Sequence, residues 1–222
     1  MIELCQSNIR KLRETGWVKL ASGIHDEAGL KNFTLQVATI LGKPVRGRSQ
    51  NLVEEIVPKK STDAPASSLS KKYGFNAFPF HVDTAHWTIP ARYLVLCCAN
   101  PGGSVTPTLL VNRNSVQLSC DESHKAMSSV FLFKNGRKSF YSSVFSVCNK
   151  FVRYDPGCME PQTPDAFQVL KLFSYERIGH LAHRVDWRVG DVVIADNWHM
   201  LHARALVNEN PSNRLLFRCL VS

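Results

Sequence analysis

His81-Val82-Asp83 is a segment whose residue types and spacing could do metal chemistry. On a strand, residues i and i+2 project from the same face, so an imidazole and a carboxylate can converge on one ion without a turn between them. By itself HxD is unspecific, and a third ligand must come from elsewhere. The stretch DNWHMLHARA offers His199 and His202, placed at a strand end after the apolar run DVVIA. Two histidines and one carboxylate form a facial triad that suits Fe(II) and leaves positions open for a cosubstrate and dioxygen. Zinc more often recruits four protein ligands, or three and a water. Asp83 fills the carboxylate position, which leaves no vacancy for chloride and disfavours halogenation. His180 and His183, at i,i+3 spacing without a carboxylate or cysteine partner, read as exposed helix residues rather than ligands.

These residues need a scaffold. Residues 3–14 predict a short amphipathic helix ending near Gly16, WVKLA a strand, and Asp26 the cap of a helix that Gly42 and Pro44 stop. NLVEEIVPK alternates as a strand. From residue 79 the chain turns β-rich, with expected strands in FPFHVDT, ARYLVLCCA, TLLVN, VFLFK, SFYSSVFSV and KFVRYD. Asn135-Gly136 signals a hairpin. Helices are expected around CDESHKAMSS and, capped by Thr163 or Asp165, over PDAFQVLKLFSYERIGHLAH. WRVGDVVIADN and RLLFRCLVS supply two more strands. The fold class is therefore mainly β with flanking helices (α+β), a β-sandwich or jelly roll. Residues 59–78 show no period and are rich in Ser, Ala, Pro and Lys; lying just before His81, they are either a lid or a surface excursion.

The chain has 222 residues, enough for one domain, 1–222, with no internal repeat and no linker. No apolar run reaches the roughly 20 residues of a membrane span. MIELCQSNIRKLRETGW carries charges where a signal peptide needs an apolar core, so a cytoplasmic location is expected. The seven cysteines lack CxxC spacing and read as reduced, mostly buried thiols. A net charge of +9 suggests an anionic partner. The basic residues are scattered, which favours a small anionic ligand over nucleic acid; oligomeric state is not legible.

FHVDTAHW, PARYLVLCC, PGG…TPTLLVN, GDVVIADNWHMLHAR and NRLLFR, in that order, resemble the taurine dioxygenase/clavaminate synthase (TauD/TfdA) group of Fe(II)- and 2-oxoglutarate-dependent oxygenases. The resemblance covers 79–112 and 187–220 well, and KFVRYDPGCMEP more loosely. It implies a double-stranded β-helix with His81 and Asp83 as ligands. It also selects His202, five residues beyond Asn197, over His199. An arginine about a dozen residues further on would clamp 2-oxoglutarate, which points to Arg214, with Arg218 on the same strand face matching a grip on an anionic substrate. Thr108, with Thr106 as competitor, would assist the clamp, although GGSVTPT is longer than the usual segment and lacks its acidic residue.

His86 and Trp87 could line the substrate pocket, or Trp87 could simply pack. Arg204 could meet succinate, substrate or the Asp196 carboxylate. Asp196 and Asn197 are expected to shape the turn presenting His202 through local backbone bonds. The implied activity is oxidation, by default hydroxylation, of a small anionic or amino-acid-like molecule, with 2-oxoglutarate and O2 consumed and succinate and CO2 released. Two other readings stand beside it. A cupin-like metal enzyme without 2-oxoglutarate would be indifferent to Arg214, and a nucleic-acid-directed protein would bind with strong salt dependence.

Overall fold

The computed structural model describes residues 5–66, 68–103, 106–146, 149–207 and 213–222. The leading helix α1 (Gln6–Thr15) stops at Gly16, whose φ of 86° is left-handed and whose N–H returns to the Leu12 carbonyl. After β1 (Trp17–Ala21), Asp26 accepts a hydrogen bond from Gly29 N at 2.7 Å and starts α2 (Glu27–Leu41).

The main sheet runs β1, β10 (Asp191–Asp196), β4 (Tyr93–Asn100), β12 (Leu215–Val221) and β2 (Pro44–Val45), with β3 (Val53–Ile56) also on β12. Its strands alternate faces. Val95, Cys97, Val192, Ile194, Phe217 and Cys219 pack with Leu30, Val37 and Ala38 of α2. Leu94, Leu96, Cys98, Val193, Leu216 and Leu220 point the other way, toward Leu110, Val185 and Met200. Those last three belong to the facing sheet, β11 (Met200–Arg204), β5 (Thr108–Asn112) and β9 (His183–Val185). The two sheets form the expected jelly-roll core. Cys97 and Cys98 accordingly enter opposite layers. A third sheet of β7 (Phe140–Ser142), β6 (Phe131–Phe133) and β8 (Met159–Pro161) packs with α4 (Cys120–Ser128) and α5 (Pro164–Leu172). β6 and β7 pair antiparallel across Asn135-Gly136, as the hairpin signal requires.

Several expected elements differ. FPFHVDT is not a strand: only His81 is bridged, to His202. KFVRYD has a single bridge, Val152 to Phe145, and SFYSSVFSV narrows to β7. The long helix expected after Thr163 breaks at Phe173 and Ser174, giving α5, α6 (Tyr175–Ile178), a 3-10 turn over Gly179–Leu181 and then β9. His180 therefore lies in the turn and His183 on a strand, not on one helix face. Thr163 makes no side-chain cap bond. Residues 59–78 hold a 3-10 turn (Ser61–Asp63) and α3 (Leu69–Tyr73), which Ser68 caps by accepting from Lys71 N at 3.2 Å. Among the cysteines, Cys97, Cys98 and Cys219 are buried and Cys158 is half-buried, but Cys5 and Cys120 are exposed; Cys148 lies outside the described residues. No helix among the described residues is long and apolar enough to cross a membrane.

Candidate metal centre and its two cavities

His202 sits in the middle of β11, not at a strand end. Its N–H donates to the His81 carbonyl and its carbonyl accepts from His81 N, both at 2.9 Å, so a two-way bridge joins segments that are remote in sequence. Ligand atoms of His81, Asp83 and His202 lie within 4.8 Å of one another, and all three residues are buried. The two imidazole centroids are 4.2 Å apart, and His202 Nε2 stands 3.9 Å from Asp83 Oδ1. His81 Nδ1 is 2.9 Å from the Pro79 carbonyl, a bond that makes Nδ1 the donor and leaves the Nε2 lone pair for a metal. Burial, with His81 beside it, pushes the His202 imidazole down to about 3, so it is held neutral. Burial raises the Asp83 carboxyl, but the Arg218 guanidinium and the two histidines outweigh it and bring it to about 2. Two imidazoles and a carboxylate brought together in this way are the donor set of a facial divalent-metal site. His199 stands apart, with Nδ1 2.9 Å from Asp196 Oδ2.

Asp83 is placed by Asn197, whose side chain works at long range rather than in its own turn. Its Oδ1 accepts from Asp83 N, and its Nδ2 donates to the Asp83 and Ala91 carbonyls, each at 2.9 Å. Asp196 does act locally, accepting from Trp198 N at 3.1 Å, and its other oxygen pairs with Arg92 at 2.9 Å. Asn197 is 1% exposed, so Asn197→Ala strands one N–H and two carbonyls out of reach of water. The expected cost is about 3 kcal/mol, a fall of roughly 10 °C in Tm, read by thermal unfolding.

Two cavities meet at the cluster. The smaller, about 110 Å³, is bounded by His81, Asp83, His202, Thr108, Arg204 and Arg214. Arg214 is buried, with no ion pair among the described residues; its Nη2 reaches only the Thr106 carbonyl, at 3.4 Å, and its Nε has no partner. Gly102, at φ 84°, lies against it: a Cβ there would stand 3.1 Å from Arg214 Cβ. Thr108 borders this cavity and accepts from Trp187 Nε1 at 3.0 Å, whereas Thr106 offers its backbone. Arg204 does not meet Asp196. It lies 3.6 Å over the Phe78 ring and donates to the Gly74 and Asn76 carbonyls at 2.6 and 2.8 Å.

The larger cavity, about 440 Å³, is lined by His81, Asp83, His86, Trp87, Asp155 and Arg218, with Pro65, Leu69 and Phe78 from the 59–78 segment. Burial lowers the His86 pKa. Arg218 is not open to a ligand in the manner expected. Its Nη1 donates to both Asp83 oxygens, at 3.0 and 3.1 Å, and its Nε and Nη2 donate to Glu54 Oε2, at 3.0 and 2.5 Å. Glu54, which holds Arg218, and Asp155 and Glu55, which line the larger cavity, are carboxylates that sequence reasoning missed. Alternation alone could have turned Glu54 or Glu55 inward, and only the β3–β12 register, which sets Glu54 opposite Arg218, decides between them. Asp155 ends a segment expected to be a strand, so nothing in its period marked it.

A family model described as "Taurine catabolism dioxygenase TauD, TfdA family" matches residues 111–220, a stretch that contains His202, Arg214 and Arg218. No curated protein matches the chain. Among solved structures, asparagine oxygenase (AsnO) superposes with a TM-score of 0.78 at 18% identity, over 97% of this chain and 77% of that one. The non-heme iron oxygenase OrfP with Fe and alpha-ketoglutaric acid gives 0.76 at 16% identity, over 98% and 79%. OrfP with Fe, succinate and (3S)-hydroxy-L-Arg gives 0.75 at 14%, over 98% and 80%. These likenesses agree with the jelly-roll architecture.

Proposed function

We propose, for a chain whose residues 111–220 match the TauD/TfdA dioxygenase family, an Fe(II)- and 2-oxoglutarate-dependent oxidation of a small amino-acid-like molecule, with hydroxylation as its outcome. The observation that carries this reading is Arg214, a buried guanidinium without a counter-ion among the described residues, bordering the small cavity beside the three candidate ligands. A buried cation is stable only when paired, and a carboxylate is its natural partner. A cupin-like enzyme without the keto acid would have no use for it.

In this reading His81, Asp83 and His202 hold the metal, and Arg214 binds the distal carboxylate of 2-oxoglutarate, with Thr108 at the same cavity wall. The metal, when bound, activates dioxygen and couples its reduction to decarboxylation of 2-oxoglutarate. The chain's part is to bind, orient and exclude water. His81 is fixed by Pro79, Asp83 by Asn197 and Arg218, and the apolar layer of Leu96 and Leu216 borders the small cavity. The substrate occupies the larger cavity, against His86 and Trp87. The lining of that cavity includes Asp155 and Glu55 as well as Arg48 and Lys59, both signs of charge, which suits a zwitterion better than a simple anion. Related enzymes of the same fold were crystallised with 3-hydroxyasparagine or hydroxyarginine, which supports an amino acid as the substrate class. The whole chain acts as one domain, residues 59–78 cover the larger cavity, and the enzyme is cytoplasmic, where its free thiols would remain reduced.

The test is succinate release by the Fe(II)-loaded protein, given 2-oxoglutarate and a panel of free amino acids. At least one amino acid should raise the rate well above that without substrate, with a product heavier by one oxygen. No Fe(II)-dependent succinate release under any condition would refute the reading. Shortening the 59–78 segment should raise succinate release that is not matched by product; unchanged coupling would remove its role as a cover.

A further inference from the structure

Glu54 is tied down by four hydrogen bonds within reach of the metal site, yet it belongs to neither cavity's chemistry as described. Its Oε1 accepts from Arg48 N at 2.9 Å and Ser49 N at 2.8 Å. Its Oε2 accepts two donors of Arg218, the residue opposite it on β12. The loop before β3 is shaped around the carboxylate: a Cβ at Gly47 would stand 2.9 Å from both Glu54 oxygens. Arg218 in turn spends Nη1 on the Asp83 carboxylate. A continuous chain of charge-assisted bonds thus runs from the loop through Glu54 and Arg218 to Asp83. Glu54 and Asp83 are 8% and 9% exposed, so solvent screens this chain little.

We propose that Glu54 is a positioning residue for the metal's carboxylate ligand, holding the Arg218 guanidinium in place and cancelling its charge. The inference rests on the reading of His81, Asp83 and His202 as a metal site. Without Glu54, Arg218 would be a half-buried cation whose one remaining counter-ion among the described residues is Asp83. It would compete with a divalent metal for that carboxylate and repel the metal directly. With Glu54 present, Arg218 orients Asp83 by hydrogen bonds while the net charge of the group stays at minus one. The same arrangement keeps the fork of Arg218 occupied, so an anionic substrate group cannot take it without displacing Glu54.

Uptake of Co(II), followed by its visible d–d bands, reports the ligand field without requiring turnover. Glu54→Gln keeps the shape but removes the charge; it should remain folded by circular dichroism, bind Co(II) about tenfold or more weakly, and shift the bands. The double variant Glu54→Gln/Arg218→Gln removes the uncompensated cation as well, and should bind Co(II) more tightly than Glu54→Gln alone. A folded Glu54→Gln protein with wild-type affinity and bands overturns the inference. If Glu54→Gln is poorly folded, the double variant is compared with Arg218→Gln instead: a further tenfold loss of Co(II) affinity on removing the Glu54 charge when Arg218 is already gone overturns the inference. A wild-type protein that takes up no Co(II) overturns the metal reading as well, a result distinct from failure at Glu54 alone.

Discussion

Arg214→Met should raise the concentration of 2-oxoglutarate needed for half-maximal succinate release by a hundredfold or more. Leaving one partner of a buried ion pair uncompensated costs about 3–5 kcal/mol, and each 1.4 kcal/mol is a factor of ten. In the variant the stranded charge would be the distal carboxylate of 2-oxoglutarate. The metal should still bind, because Arg214 forms no hydrogen bond or ion pair with His81, Asp83 or His202; its bond is to the Thr106 carbonyl. Arg214→Lys should recover only part of the loss, since an ammonium offers a point charge where the guanidinium offers a planar fork. Equal 2-oxoglutarate dependence in wild type and Arg214→Met would remove the clamp and favour the cupin-like alternative.

His202→Ala should abolish Fe(II) binding at micromolar metal, whereas His199→Ala should leave it intact. The two histidines are three residues apart, but only His202 turns its ring toward Asp83. His199 is committed to Asp196, an exchange with a partly exposed group whose loss is worth on the order of 1 kcal/mol of stability. Equilibrium dialysis against Fe(II) under anaerobic conditions reads both variants. Retained iron in His202→Ala together with lost iron in His199→Ala would reverse the assignment.

Much of this was legible in the sequence because the physics behind it is local. Asp26 and Gly16 mark helix ends through capping that needs no tertiary context, and the near-continuous apolar runs of β4, β10 and β12 follow from a sheet buried on both faces. His81 and Asp83 share a side at i,i+2 although their segment is not a strand, so the spacing argument reached the right geometry through the wrong element. β11 was invisible as a strand because MLHAR carries a histidine and an arginine where an apolar alternation would have signalled one. The longer-range contacts were beyond a sequence. Asn197 lies next to a turn and has the residue type of a turn former, yet all its side-chain bonds go to segments about a hundred residues earlier. Arg218 matched a substrate-gripping position by spacing, but the register of β3 against β12 decides what it holds.

On the proposed reading, a three-residue metal site and Arg214 together hold a 2-oxo acid. The most direct test is anaerobic addition of 2-oxoglutarate to the Fe(II)-loaded protein, watched for a visible charge-transfer band. The band should appear and saturate in the wild type and in His199→Ala, be absent in His202→Ala, and require far more 2-oxoglutarate in Arg214→Met. Iron bound by the wild type with no band at saturating 2-oxoglutarate would contradict the account.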